Sequence, residues 1–252
     1  MAELNFPDDV ITLAVDIGGS GIKGALLNAN GEMISERLRM DTPYPCPPER
    51  LVAALRELTA SFTGYHRLSV GFPGLVREGR VTNIPSLSKS SLEGEIDPSL
   101  VAAWRNFNLA SALDEAFAVP VRVANDADVQ GSAVIKGTGL EFVMTLGTGC
   151  GAALFYNGKL LPHLELGHAP FRKGETFEQQ IGNAARKAIG KQRWIKRVKE
   201  AIDAFDSFLF FDHIYIGGGN ARHLAGVDLG NQVTIVENTA GILGGIKIWD
   251  TH

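Results

Sequence analysis

The sequence predicts an α/β protein with mixed sheets, built from two similar lobes. Three observations carry this. Apolar, strand-like runs alternate with helical periodicities along the whole 252-residue chain. A strand–glycine turn–strand unit that closes on Asn-Gly occurs twice, at residues 10–31 and again at residues 142–158. The two copies lie about half a chain apart, which points to an internal duplication. Such a duplication implies two lobes that face each other and offer one glycine turn each to a shared cleft. Gly137-Thr138-Gly139 marks the boundary, giving lobes at 1–136 and 137–252, with the final helix free to pack back on the first lobe.

Taken in order, residues 10–15 (Val-Ile-Thr-Leu-Ala-Val) read as a buried strand that delivers Asp16 to the turn Ile17-Gly18-Gly19-Ser20-Gly21. Residues 25–28 continue a return strand, Asn30-Gly31 turns, and residues 33–38 read as another strand. The proline-rich stretch 41–48 is a loop, and 49–62 has the helical period Leu51, Val52, Leu55, Leu58, Phe62. Residues 68–72 are a strand stopped by Pro73-Gly74; 80–85 are extended; 86–95 are polar loop. A helix is expected over 98–117, a strand over 119–124, and a short helix from Asn125-Asp126 to about Lys136. The second copy follows: strand 142–146, glycine turn 147–151, strand 152–156, Asn157-Gly158. Residues 175–211 read as mostly helical, 213–216 and 233–236 as strands, and 240–249 as a closing helix whose glycines imply close packing.

Composition narrows the function. Hydrophobic content of 45% and charged content of 21% are those of a globular protein, and a net charge of −4 argues against general nucleic-acid binding. No apolar run approaches the roughly 18 residues of a membrane span. The acidic start, Met1 to Asp9, lacks the basic and apolar regions of a signal peptide. Cys46 and Cys150 are far apart and suit a reducing compartment, so a cytoplasmic location is expected.

The chemistry-bearing positions cluster at strand ends. Glycine lets backbone N–H groups turn toward an anion, so Gly18, Gly19 and Gly21 can hold phosphate, with Ser20 and Lys23 adding a hydroxyl donor and a positive charge. Asp16 beside such a loop calls for a divalent cation between carboxylate and phosphate. Gly19-x-Gly21-x-x-Gly24 also matches a dinucleotide fingerprint, but that motif needs a helix after the loop and here a strand follows. A glycine-rich hairpin with no ligand is the plain alternative. Asn125-Asp126 ends a strand, where a carboxylate can take a proton from an attacking hydroxyl; the pair also reads as a helix cap. Glu165 and His168, three apart, can converge on one ligand or sit in a surface loop.

Asp16-Ile17-Gly18-Gly19-Ser20-Gly21-Ile22-Lys23-Gly24-Ala25 resembles the first phosphate loop of sugar kinases of the actin/hexokinase-like (ribonuclease H-like) fold, closest to the ROK family and, within it, the polyphosphate glucokinases. Further resemblances follow in family order: Gly71-Phe72-Pro73-Gly74, Val123-Ala124-Asn125-Asp126-Ala127-Asp128, Gly147-Thr148-Gly149-Cys150-Gly151, Glu165-Leu166-Gly167-His168, Gly217-Gly218-Gly219 and the closing segment 238–245. The resemblance implies a hexokinase-type enzyme in which Asp126 is the catalytic base. Gly74, Asn83, Asn125, Asp126, Glu165, His168 and a third glutamate would hold the sugar. Gly147, Thr148, Gly149 and Gly151 would hold donor phosphates, and Gly217, Gly218 and Gly219 would lie over a nucleotide. Mg²⁺ is implied at Asp16. The family's C-x-C-G-x-x-G-C zinc cluster is missing after His168, as it is in the polyphosphate glucokinases. No zinc is therefore expected, and Glu178, with Glu175 as competitor, becomes the third glutamate. The family also suggests a homodimer, with no membrane or nucleic-acid partner.

Arg186, Lys187, Lys191, Arg193, Lys196, Arg197 and Lys199 fall in one predicted helical stretch with no acidic residue between them. A solvated helix face or a nucleic-acid patch would account for them. The stretch also resembles the lysine- and tryptophan-bearing helix of polyphosphate glucokinases, which implies inorganic polyphosphate, ATP or both as donor. Two other classes fit the sequence less well. A ROK repressor would need an N-terminal DNA-binding domain, for which the start at Val10 leaves no room; a dinucleotide oxidoreductase conflicts with the strand after Gly21.

Overall fold

The computed structural model describes residues 5–236 and 244–249. The chain divides into two compact units, 1–133 with 241–252, and 134–240.

In the first unit, β1 (Thr12–Ile17) and β2 (Ile22–Leu27) form the expected antiparallel hairpin around the glycine turn, with Asp16 opposite Lys23. β3 (Leu38–Met40), α1 (Pro48–Leu58), β4 (Arg67–Phe72) and the pair β5 (Leu75–Arg77) and β6 (Arg80–Asn83) follow. Then come α2 (Pro98–Trp104), α3 (Leu109–Phe117), β7 (Val121–Asn125) and α4 (Asp126–Ser132). The sheet order is β3-β2-β1-β4-β7, with β1, β4 and β7 parallel. β4 is buried at every position, as a central parallel strand should be. Leu13, Val15, Leu68, Val70 and Phe72 pack with Leu51, Leu55, Leu109, Leu113 and Trp104, whose Nε1 donates to the Cys46 carbonyl at 2.9 Å.

The second unit repeats this plan. β8 (Leu140–Leu146), β9 (Cys150–Tyr156), β10 (Lys159–Leu160), β13 (His213–Gly217) and β14 (Val233–Ile235) assemble in the order β10-β9-β8-β13-β14. The hairpin β8–β9 is again antiparallel and β8, β13 and β14 run parallel. The small pair β11 (Pro170–Arg172) and β12 (Glu175–Thr176) leads into α5 (Phe177–Ile181), α6 (Asn183–Ile189) and α7 (Lys191–Leu209). Trp194, Val198, Ile202 and Phe205 of α7 bury against Phe142, Met144 and Ile216.

Several predicted boundaries move. The strand expected at 33–38 forms later: Met33 makes an isolated bridge to Leu27, and the Ser35 hydroxyl takes the Leu26 N–H that a strand partner would have taken. The helix expected over 98–117 breaks, because Asn106 is left-handed (φ 59°) and the Asn108 side chain caps a new helix. The stretch expected as one basic helix divides at Gly190, whose φ of +81° ends α6 and starts α7. Residues 240–243 of the closing helix lie outside the described residues, and Gly244–Trp249 is a 3-10 helix.

That 3-10 segment packs on the first unit. Trp249 donates to the Ser69 hydroxyl at 2.7 Å, and the guanidinium groups of Arg67 and Arg122 lie 5.0 and 4.7 Å from its ring. Gly244 meets the Val129 carbonyl of α4 so closely that a Cβ has no space. The C-terminal segment thus braces the helix that begins with Asp126.

α4 stops at Ser132, short of the expected Lys136, because the next amides are claimed elsewhere. The Glu141 carboxylate, 1% exposed, accepts from the backbone N–H groups of Lys136, Gly137 and Thr138 at 2.7–3.1 Å and from the Tyr215 hydroxyl at 2.9 Å. Glu141→Gln places an amide NH₂ against those donors, and an unsatisfied buried group costs about 1–3 kcal/mol. The expected result is a lower urea midpoint with an unchanged m-value, equivalent to about 2 kcal/mol. A midpoint equal to wild type would show that the carboxylate contributes nothing there.

Candidate functional site

Three parallel strand ends of the first unit gather one group of candidate residues. Register places Asp16 of β1 opposite Gly71 of β4, and Gly71 opposite Ala124 of β7. Asp16 Oδ1 and Asp126 Cα both lie beside Gly71, each 3.7 Å from the position a Cβ there would take, an ordinary packing distance. Asp16 Oδ2 lies 2.9 Å from Lys23 Nζ. The glycine turn itself is fixed by Gly18 N–H donating to Gly21 O, by the Thr42 hydroxyl donating to Gly18 O at 2.6 Å, and by the Tyr44 hydroxyl, which lies 2.7 Å from Gly19 O and 3.0 Å from Ser86 O.

Asn125 and Asp126 divide the two readings of their pair. Asn125 is the helix cap, its Oδ1 accepting from Ala127 N–H at 2.8 Å while its Nδ2 donates to Gly74 O at 3.1 Å. Asp126 is the first helical residue, with Oδ1 also 2.9 Å from the Ala127 nitrogen. Gly74 packs so tightly on the Asn83 carbonyl that no Cβ fits. Gly74, Asn83 and Asn125 are therefore brought together, with Asp126 next in the chain.

In the second unit a separate group is built on the turn between β8 and β9. Glu165 precedes the 3-10 turn Leu166–His168, whose Gly167 abuts the Cys150 carbonyl with no room for a side chain. His168 then stands between two carboxylates, Nδ1 4.0 Å from Glu165 Oε2 and Nε2 3.6 Å from Glu178 Oε2. Glu178 comes from the first turn of α5, fixed by a capping box between Thr176 and Gln179, and its carboxylate fills the space over Gly149. Glu175 is engaged by the Gln180 amide instead. Glu178, and not Glu175, thus stands beside His168.

His163, a residue that the sequence gave no reason to select, is buried with Nε2 3.6 Å from Glu165 Oε1. Its side chain, more than partial burial can oppose, holds the Glu165 carboxyl below the usual carboxylate range. Cys150 is a spectator: burial first, then Glu178, pushes its thiol up to about 12.

Two further asparagines were missed because nothing in their spacing marks them. Asn220, just after Gly217-Gly218-Gly219, donates from Nδ2 to Gly147 O at 2.9 Å and from its backbone to Leu146 O at 2.8 Å. Its Oδ1 accepts from Arg186 Nε at 3.1 Å, while Arg186 Nη2 donates to Asn183 Oδ1 at 2.9 Å. Asn183 N–H meets the carbonyls of Gly147 and Thr148. The second glycine turn, the Gly217–Gly219 loop and the start of α6 form one hydrogen-bonded assembly. On α7, Lys191, Arg193 and Lys196 are exposed and Arg197 half-exposed, opposite the buried Trp194 and Val198. Among the described residues none of these four cations has a carboxylate within 4.0 Å. Among the described residues there is also no group of three His, Cys, Asp or Glu that could hold a metal, and no helix long and apolar enough to cross a membrane. Asp16 as a single carboxylate suits a hard cation that brings donor phosphate oxygens with it.

The ROK family profile matches residues 12–187. This chain belongs to the ROK family. It is 29% identical over 248 residues to a polyphosphate glucokinase of Mycobacterium tuberculosis, covering 91% of this chain and 88% of that protein. Among solved structures, an inorganic polyphosphate/ATP-glucomannokinase from Arthrobacter sp. strain KM matches with a TM-score of 0.80 at 27% identity over 96% of this chain and 99% of that one. A ROK family glucokinase from Streptomyces griseus shares the fold, with a TM-score of 0.72 at 19% identity over 94% of this chain and 98% of that one. The fold is the actin/hexokinase-like one of the ROK sugar kinases.

The depressed Glu165 pKa has a signed consequence for this ROK chain. Stability from the ionised carboxylate is present above the unfolded-state pKa, about 4.3, and is lost as pH falls through the lower folded value. Wild type should therefore have a higher urea midpoint than Glu165→Gln at pH 6, and the difference should close as pH falls below about 4.3. A difference that stays constant down to pH 3 would show that ionisation of Glu165 is not its source.

Proposed function

We propose that this chain is a hexokinase-type phosphotransferase that makes glucose 6-phosphate from glucose, using inorganic polyphosphate in preference to ATP. The observation that carries the kinase reading is the grouping of Glu165, His168 and Glu178 beside the second glycine turn. A sugar hydroxyl both gives and takes a hydrogen bond, and alternating carboxylate and imidazole groups answer that need in a way an isolated phosphate site does not. Similarity to polyphosphate glucokinases over 91% of the chain supports the choice of substrates.

In this reading Glu165, His168 and Glu178 hold the hexose together with Asn125, Asn83 and the backbone at Gly74. Asp126 accepts the proton of the 6-hydroxyl as that oxygen bonds to the terminal phosphorus and the donor's bridging P–O bond breaks. Backbone amides of the turns at Gly18–Gly21 and Gly147–Gly151, with Ser20, Thr148 and Lys23, hold donor phosphates. Asp16 would hold Mg²⁺, which supplies neutralisation of donor charge. The exposed cations of α7 give a long polyanion a basic track, and the Gly217–Gly219 loop, open on the side of Gly219, leaves room for ATP as well.

Two experiments test this. Asp126→Asn keeps size but cannot take the proton, so turnover should fall about 10²–10⁴-fold with hexose binding largely kept. Turnover within threefold of wild type would remove Asp126 from the base role. The second experiment replaces Lys191, Arg193 and Arg197 together with glutamine. KM for polyphosphate should rise much more than KM for ATP, and the wild-type KM for polyphosphate should climb steeply with salt. Glucose phosphorylation from ATP with none from polyphosphate would sink the donor assignment and leave the kinase assignment standing.

A further inference from the structure

His223 sits in the 3-10 turn Ala221–Leu224 that follows the Gly217–Gly219 loop, and its backbone N–H donates to Asn220 O at 3.0 Å. Asn220 is the residue that ties this loop to the Gly147 carbonyl and to Arg186. The imidazole lies edge-on to Trp194 of α7, ring centroids 6.4 Å apart at 87°. Its Nε2 is shielded from solvent and has no hydrogen-bond partner among the described residues. A buried polar nitrogen in a folded protein is almost always satisfied, so one that is not asks for a ligand atom or a functional reason. The charged groups that act on the ring are all cations: Arg186 from α6, Arg222 from its own turn and Lys191 from α7.

We propose that His223, with Arg186, Lys191 and Arg222, extends the donor site beyond the second glycine turn and takes up a proton when a polyphosphate chain binds. The proposal rests on polyphosphate being a donor. It adds a residue, a location and a proton linkage to that reading. Burial first, then those three cations, hold the free imidazole below its ordinary pKa, so at pH 7 it is neutral. A bound polyanion reverses the field. Phosphate oxygens neutralise the cations and so favour the imidazolium through the field at the ring. The linkage has one sign: a group whose pKa is higher in the complex makes binding tighter as pH falls between its free and bound values. The cluster of Arg186, Lys191 and Arg222 thereby gains a fourth charge only when it is occupied. In the empty protein the ring adds no repulsion to its three cationic neighbours.

The test is calorimetric titration of the full-length protein with inorganic tripolyphosphate, without sugar, in buffers of different ionisation enthalpy at pH 7. Wild type should take up a fraction of a proton on binding, and affinity should rise about two- to fivefold from pH 8 to pH 6, part of the total of about three- to tenfold that a pKa rise of half to one unit allows over the whole titration. His223→Gln should bind with that uptake lost and a flatter pH dependence, and His223→Arg should bind at pH 8 without uptake. In wild-type protein the histidine ring resonance of His223 should titrate at higher pH with tripolyphosphate than without, a readout that does not depend on any variant folding. Binding without proton uptake, uptake undiminished in His223→Gln, or an unmoved ring titration would overturn the proposal and leave the donor reading intact. No binding of tripolyphosphate by wild type would overturn both.

Discussion

The second unit depends on a crowding constraint at the turn between β8 and β9. Backbone or side chains reach this turn from α5, the start of α6, the 3-10 turn at Leu166–His168 and the loop after β13. Cβ atoms at Gly149, Gly167, Gly182 and Gly218 would each collide with a neighbour, and Gly218 also needs its positive φ of +84°. Glycine here is less a source of flexibility than a means of bringing four segments within hydrogen-bonding distance of one loop. Carbonyls of Leu146, Gly147 and Thr148 are consumed by Asn183 and Asn220, which holds the turn in one shape before any ligand arrives. Such preorganisation is what anion binding by backbone amides requires.

Much of this was legible in the sequence, and the reason is local. The duplicated strand–glycine turn–strand units are defined by consecutive residues, so their apolar runs and Asn-Gly turns could be read directly, and both sheets formed with the same order of pairing. Glu165 and His168 are three residues apart and met as their spacing allowed. What was not legible depends on distant partners. His163 acts on Glu165 as a buried hydrogen-bonding and charge partner that no motif announces. Asn183 and Asn220 matter through the carbonyls of a turn dozens of residues earlier. Glu141 looked like an ordinary polar position in a strand, yet it collects amides from the segment that would otherwise have prolonged α4. That Glu178 and not Glu175 would stand beside His168 depends on where α5 begins and on the Gln180 contact to Glu175, neither of which the spacing shows.

The break at Gly190 shows how a small backbone feature changes a charge pattern. In sequence the basic residues form one run; in the fold Arg186 belongs to the glycine-turn assembly while Arg193, Lys196 and Arg197 belong to the outer side of α7. The two groups therefore serve different surroundings. One is partly buried and committed to asparagine side chains, and the other is open to solvent without carboxylate partners among the described residues.

The placement of the tryptophans has a practical side. The chain has 3. Trp104 is sealed in the core of the first unit and Trp194 in that of the second, each with its indole N–H on a backbone carbonyl. Trp249 lies instead against two guanidinium groups at the C-terminal segment. Intrinsic fluorescence can thus be apportioned by single Trp→Phe replacements into three local probes. Each would follow a separate event during unfolding: loss of one core, loss of the other, and release of residues 244–249 from β4 and β7.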